Sequence, residues 1–199
     1  MNKLIQRGVL SIAGLTAVAG IAAGSGLSPD TTPAVTTTPV AATQQTSADT
    51  PVSMDKLLPN GVPAGQSTVP LSAEQKDNAK AIIEATKKAG MDERAAVVAI
   101  ATSLQESKLE NLGHLGDRND HDSQGLFQQR PSSGWGTVEQ ITDPAYSTTA
   151  FLKGLKQVDG WKDMPLTQAA QTVQVSAYPD HYAQWEKQAA DLVAELWTT

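Results

Sequence analysis

The chain of 199 residues contains no cysteine. That excludes disulfides, thiol nucleophiles and thiolate metal sites, so the fold must hold together through packing alone. Aromatic residues are scarce, at 5%, and charged residues make up only 18%. Both are low for a chain that folds along its whole length, and they point to a folded part diluted by unpatterned sequence. Cationic excess is missing too. The net charge is -6, which argues against sequence-independent nucleic-acid binding, because that binding relies on Lys and Arg neutralising phosphates. An anionic membrane surface is a poor partner for the same reason. No strand pair and no internal repeat can be made out.

What is present divides into three parts. Residues 1–25 have the pattern of an export signal: Lys3 and Arg7 precede an uncharged run from Gly8 to Gly24. Small residues suited to a signal peptidase follow at Ala17-Val18-Ala19 or Ala22-Ala23-Gly24. The alternative is an uncleaved anchor, but the run is near the lower limit for spanning and is diluted by Gly, Ser and Thr. Removal of the signal places the protein in the cell envelope or outside the cell, with no stable membrane insertion. Residues 26–70 read as a disordered Thr/Pro/Ala-rich linker, because TTPAVTTTPVAATQQT has no hydrophobic period and too little apolar surface to offset its ordering entropy. Within it, VSMDKLLPNGV is the piece with some capacity to pack locally. Residues 71–199 read as the folded domain, long enough to bury a core without disulfides.

The domain pattern is helical throughout. Ser72 and Gln75 make a capping box for a helix over 73–89, which Gly90 ends. Asp92 caps a second helix over 93–107. Thr137 and Gln140 mark a short third. Asp143-Pro144 opens a fourth through about Val158. Thr167 opens a fifth, and Asp180 a last one with Tyr182, Trp185, Ala189, Leu192, Val193 and Leu196 turned inward.

The second helix, AAVVAIATSLQES, is apolar until it reaches Glu106. Val97, Ile100 and Leu104 share one face, whereas Glu106 leaves over the small side chains of Ala95, Ala99 and Thr102, where there is room for a substrate. Burial disfavours the charged form of a carboxyl, and the negative end of the helix dipole acts in the same direction. A carboxyl that keeps its proton near neutral pH is what a general acid needs to cleave a sugar–oxygen bond. From the helix alone, a solvated glutamate at a frayed end is the commoner situation.

The neighbouring motifs change that balance. Glu106-Ser107, then Ser123-Gln124-Gly125-Leu126-Phe127-Gln128, then Gly136-Thr137 resembles the soluble lytic transglycosylase family and its lysozyme-like relatives. That family has a Glu-Ser pair, a Gly-Leu-Met-Gln turn, a small-residue turn and a later Ala-Tyr pair, for which Ala177-Tyr178 stands here. More narrowly, GDR…GLFQQRPSSGWGT…DPAY…YPDHYAQWE looks like a secreted lysozyme-like domain common in actinobacteria. The resemblance covers about residues 73–190. It implies an all-α, lysozyme-like domain that acts as a monomer on peptidoglycan glycan strands, needing no cofactor and no metal. It gives Glu106 the role of general acid and base at the bond between N-acetylmuramic acid and N-acetylglucosamine, with a 1,6-anhydro product. It makes Ser107, Ser123, Gly125, Gln128 and Tyr178 substrate-binding residues, with Gln128 and the Gly125 backbone bonding sugar amides and Tyr178 bonding or orienting Glu106. Trp135 would offer a stacking face or a core side chain. The chain departs from the pattern in three places. Phe127 replaces Met, Asn119-Asp120-His121-Asp122 lengthens the Glu-to-Gln spacing, and Pro179 follows Tyr178 where an Asn is usual.

The loop from Asp117 to Asp122 leaves three readings open. It could supply a second carboxylate for muramidase-type hydrolysis. It faintly echoes the start of an EF-hand loop, but Pro131 stands where the bidentate Glu would be. Or its Asp and Asn side chains make turn bonds in a solvated loop. A non-catalytic wall-binding module of the same shape is the alternative to an enzyme, and retention of Glu106 favours the enzyme.

Overall fold

The structure, a computed structural model, describes residues 52–197. The export-signal reading of 1–25 and the linker reading of 26–51 lie outside the described residues. Among the described residues, seven α-helices form in chain order: α1 (Met54–Leu57), α2 (Ala73–Lys88), α3 (Glu93–Ser107), α4 (Val138–Ile141), α5 (Pro144–Leu155), α6 (Leu166–Gln174) and α7 (Glu186–Leu196). Among the described residues, β-structure is limited to two isolated bridges, Leu112 with Gly125 and Gln124 with Gln129. The domain is all-helical. No helix among these residues is long and apolar enough to cross a membrane.

Local chemistry sets most of the helix starts. Ser72 and Gln75 form the expected capping box on α2, and Thr137 and Gln140 form another on α4. Asp92 accepts from Ala95 N, and Asp143 accepts from Tyr146 N with Pro144 in the first turn. The last helix differs from expectation. A 3₁₀ turn over His181–Trp185 comes first, Asp180 makes no side-chain cap, and α-geometry begins only at Glu186.

α3 is the central element. Helices α1, α2, α5, α6 and α7 and the 3₁₀ turn all pack against it. A helix surrounded in this way is largely apolar and pairs most of the polar groups it buries, and only Glu93, Gln105 and Glu106 of α3 escape burial. The small-residue stripe of Ala95, Ala99 and Thr102 is therefore not open to a ligand; all three are fully buried. Small side chains let neighbouring helices approach, and beyond Glu93 in its first turn α3 reaches solvent near its C-terminus, where Gln105 and Glu106 stand.

Residues 52–70 correct the linker boundary. They lie on the domain as a strap. Leu57 and Leu58 enter the core, and Val52 and Val69 pack against it. The segment VSMDKLLPNGV does pack, but a one-turn helix is too short to show the hydrophobic period that would place it in the domain core. Leu57→Ala is expected to destabilise the domain by about 2–5 kcal/mol, the usual range for a buried leucine. Urea unfolding of the full chain checks this; a loss under ~0.5 kcal/mol would mean the strap adds nothing to the core.

A buried ion pair ties strap, α3 and α7 together. Arg94 Nη1 donates to Glu186 Oε1 at 2.7 Å and to Leu57 O at 2.8 Å. Both charged side chains are almost wholly buried.

Candidate functional site

The C-terminus of α3 opens on a cleft of about 590 Å³. One wall holds Gln105, Glu106 and the loop residues Asp120 and Ser123. Phe127 to Arg130 and Trp135 line a second part, and Val173 to Tyr178 a third. The cleft is open and lined largely by polar side chains, unlike the mostly apolar pockets that enclose compact ligands.

Glu106 is held in place by its chain neighbours. Ser107 is buried, and its hydroxyl donates to Ser103 O at 3.2 Å and to Leu126 O at 2.8 Å. Ser107 therefore does not line the cleft. It clips the end of α3 to the Gly125–Gln128 turn. Lys108 and Leu109 then take left-handed backbone, with φ of 59° and 64°. Their carbonyls are fixed by Gln75 Nε2 at 2.8 Å and Asn78 Nδ2 at 2.9 Å. Lys108 Nζ folds back onto Leu104 O at 3.0 Å and lies over the Trp185 ring. The ammonium thereby offsets the negative end of the helix dipole that the sequence alone would leave bare.

The Gly125–Gln128 turn is fixed as firmly. Leu126 and Phe127 are core residues, and Phe127 stacks on Phe151 of α5 with ring centroids 5.1 Å apart. Gly125 N donates to Leu112 O at 2.7 Å. Gly125 has φ +79°, and a Cβ there would come within 2.1 Å of Ile141 O. Gly125 thus faces α4, not the cleft, and its role is close packing instead of sugar contact. Gly125→Ala is expected to destabilise by more than ~1–3 kcal/mol, since backbone strain adds to a clash with backbone that has nowhere to move. Thermal unfolding tests this, and an unchanged Tm would contradict it. Gln128 and Ser123 do line the cleft. Gln128 sits at φ 47°, and its Nε2 donates back to Gly125 O at 3.0 Å.

The residue that touches the carboxyl is Tyr182, not Tyr178. Tyr182 Oη donates to Glu106 Oε1 at 2.7 Å. Tyr178 is 62% exposed at the cleft rim and stacks on His181. The two tyrosines lie on either side of Pro179, and the 3₁₀ turn directs the second inward. Gln174, which no motif marks, also faces Glu106, and its Nε2 donates to Phe127 O at 2.8 Å. Trp135 lines the cleft, whereas Trp161 and Trp185 are core.

Burial is the largest influence on Glu106 and pushes its pKa above the usual carboxylate range. Hydrogen bonds from Tyr182 and Gln174 and the charge of Lys108 act against this, while Asp120 pushes the same way as burial. Burial, and next the neighbouring Glu106 charge, raise the Tyr182 phenol and keep it a donor.

The acidic loop resolves into distinct roles. Asp122 accepts from Arg130 Nε at 2.9 Å, Ser132 N at 2.7 Å and Ser132 Oγ at 2.8 Å. Its carboxyl is held well below its usual range by those bonds, led by Arg130, and serves as a loop clamp. Asp117 does not line the cleft; Asp120 does. Among the described residues, no three His, Asp or Glu side chains gather as a metal site would require. No protein-family model matches the chain, and no curated protein matches it.

Proposed function

We propose that this domain cleaves the glycan strands of peptidoglycan with Glu106 as its acid and base, on a lysozyme-like helical framework. The observation that carries the proposal is a carboxyl biased toward its protonated form by burial, on the wall of an open polar cleft, oriented by a phenol at 2.7 Å. Such a group can give its proton to the glycosidic oxygen as the bond to C1 of N-acetylmuramic acid breaks. The carboxylate left behind can take the proton of the same sugar's C6 hydroxyl. That oxygen then bonds to C1 and closes a 1,6-anhydro ring, and Glu106 is protonated again. One carboxyl suffices because the nucleophile belongs to the substrate. The protein acts in the cell envelope or outside the cell, as a monomer on glycan strands, without a cofactor.

A second reading has one specific observation in its favour. Asp120 shares the cleft with Glu106. It could steady an oxocarbenium ion or activate water, making the reaction a hydrolysis. Digestion of purified peptidoglycan by the full chain, with products weighed by mass spectrometry, separates the two. Muropeptides ending in 1,6-anhydro-muramic acid are expected. Reducing ends, heavier by one water, would select hydrolysis and Asp120. No products, from folded protein on substrate that a control enzyme cuts, would leave a glycan-binding module.

Tyr182→Phe gives a pH signature. The lost bond favours the ionised carboxyl, so its removal raises the Glu106 pKa further. The basic limb of the rate profile, where the acid loses its proton, moves to higher pH, and kcat falls roughly tenfold as orientation is lost. A limb that stays in place or moves to lower pH would contradict this role.

A further inference from the structure

The 3₁₀ turn His181–Trp185 brings Tyr182 to Glu106. Such turns have poor internal hydrogen bonds, and no side chain caps this one. Its outer polar groups are taken up by the strap. Gln66 Nε2 donates to Ala183 O at 2.8 Å, and Gln66 Oε1 accepts from Lys187 N at 2.8 Å. Ser67 N donates to Gln184 O at 2.7 Å, and Ser67 Oγ to Gln184 Oε1 at 2.7 Å. Gln184 in turn reaches inward, with its Nε2 donating to Gln105 Oε1 at 3.1 Å. Trp185 Nε1 donates to the same oxygen at 2.8 Å. Gln105 directly precedes Glu106. The strap therefore reaches the carboxyl by two routes, one through the turn to Tyr182 and one through Gln184 to Gln105.

We propose that the strap is a positioning element of the cleft, in which Gln66 and Ser67 hold the 181–185 turn where Tyr182 orients the Glu106 carboxyl. The effect on rate rests on the function proposed above; the effect on the Tyr182–Glu106 bond does not. A domain boundary drawn at residue 71 would remove the strap and uncouple the turn.

The test compares Gln66→Leu with the parent in the full chain, following the Glu106 side-chain carboxyl carbon by NMR titration. The other groups facing Glu106 are Lys108 at the end of α3, Asp120 in the loop and Gln174 of α6, and none is altered. Loss of the Tyr182 bond is expected to raise the Glu106 midpoint and to move the basic limb of the rate profile by the same amount. It should also lower kcat about tenfold with KM within about twofold. Ser67→Ala, which removes one bond, should act in the same direction and less. Gln188→Ala is the control: it breaks the strap's bonds at Val69, Val69 N to Gln188 Oε1 at 3.1 Å and Gln188 Nε2 to Val69 O at 2.7 Å, beyond the turn. It should lower Tm and leave the midpoint in place. An unchanged midpoint in folded Gln66→Leu and Ser67→Ala overturns the proposal, as does an equal shift in Gln188→Ala. A shifted midpoint in a chain that cleaves no glycan upholds the strap's role and removes the proposed function.

Discussion

Replacing Glu106 by glutamine is expected to lower glycan cleavage by about 10³-fold, within the range for loss of a general acid, and to make the folded domain more stable at neutral pH. Both effects come from one property. Burial raises the Glu106 pKa in the folded state above its unfolded value. The folded state therefore binds the extra proton more tightly, so the group's contribution to stability is fully present below the unfolded pKa. It is lost as pH rises through the folded pKa. At neutral pH the wild-type chain must hold a poorly solvated carboxylate or take up a proton. Glutamine does neither and can still accept from Tyr182 Oη. Thermal unfolding of both proteins across pH should thus show Glu106→Gln gaining on wild type as pH rises above the unfolded carboxyl range. Equal stability at every pH would mean that the carboxyl is effectively solvated and unsuited to act as an acid at neutral pH.

The largest loss of stability is expected at Arg94. Arg94→Met leaves Glu186 buried and without its cation, and takes the donor from Leu57 O. Breaking one side of a buried pair typically costs about 3–5 kcal/mol. The pair itself is not an efficient use of charge, since Nε and Nη2 of Arg94 have no protein partner. The double variant Arg94→Met with Glu186→Leu should therefore recover most of the loss, because no unpaired charge remains. Urea unfolding of the single and double variants measures this. A double variant as unstable as Arg94→Met would show that the guanidinium's contact with the strap carbonyl, and not charge burial, dominates.

The parts of this fold that were legible in the sequence are those set by near neighbours. Asp92, Asp143-Pro144, Ser72 with Gln75 and Thr137 with Gln140 each act within one helical turn, and each starts a helix where its side chain places it. Glu106 was legible because it closes an apolar helix and the Gly125–Gln128 motif follows it at a fixed spacing; the helix alone would leave it a solvated glutamate. What lay hidden depends on contacts far apart in sequence. Tyr182 has the helical spacing of a core residue, and its bond to Glu106 spans 76 residues. The family pattern pointed instead to Tyr178, four residues before it. Ser107 and Gly125 appear in the motif with Glu106, yet the first braces α3 and the second makes room for α4. A motif records which residues occur together, and cannot separate those that touch a substrate from those that hold the others in place. The strap shows the same limit: Leu57 and Leu58 are a single apolar pair in a Pro- and Gly-containing stretch, with no period to reveal the core they enter.

The central claim is that a desolvated Glu106 supplies the proton that breaks the glycan. It is tested most directly by measuring the pH dependence of muropeptide release against the titration of the Glu106 carboxyl carbon in the same protein. The two curves should share a midpoint above the usual carboxylate range, with release falling as Glu106 loses its proton. A Glu106 midpoint in the ordinary range, or release that continues unchanged after Glu106 has ionised, would contradict the account.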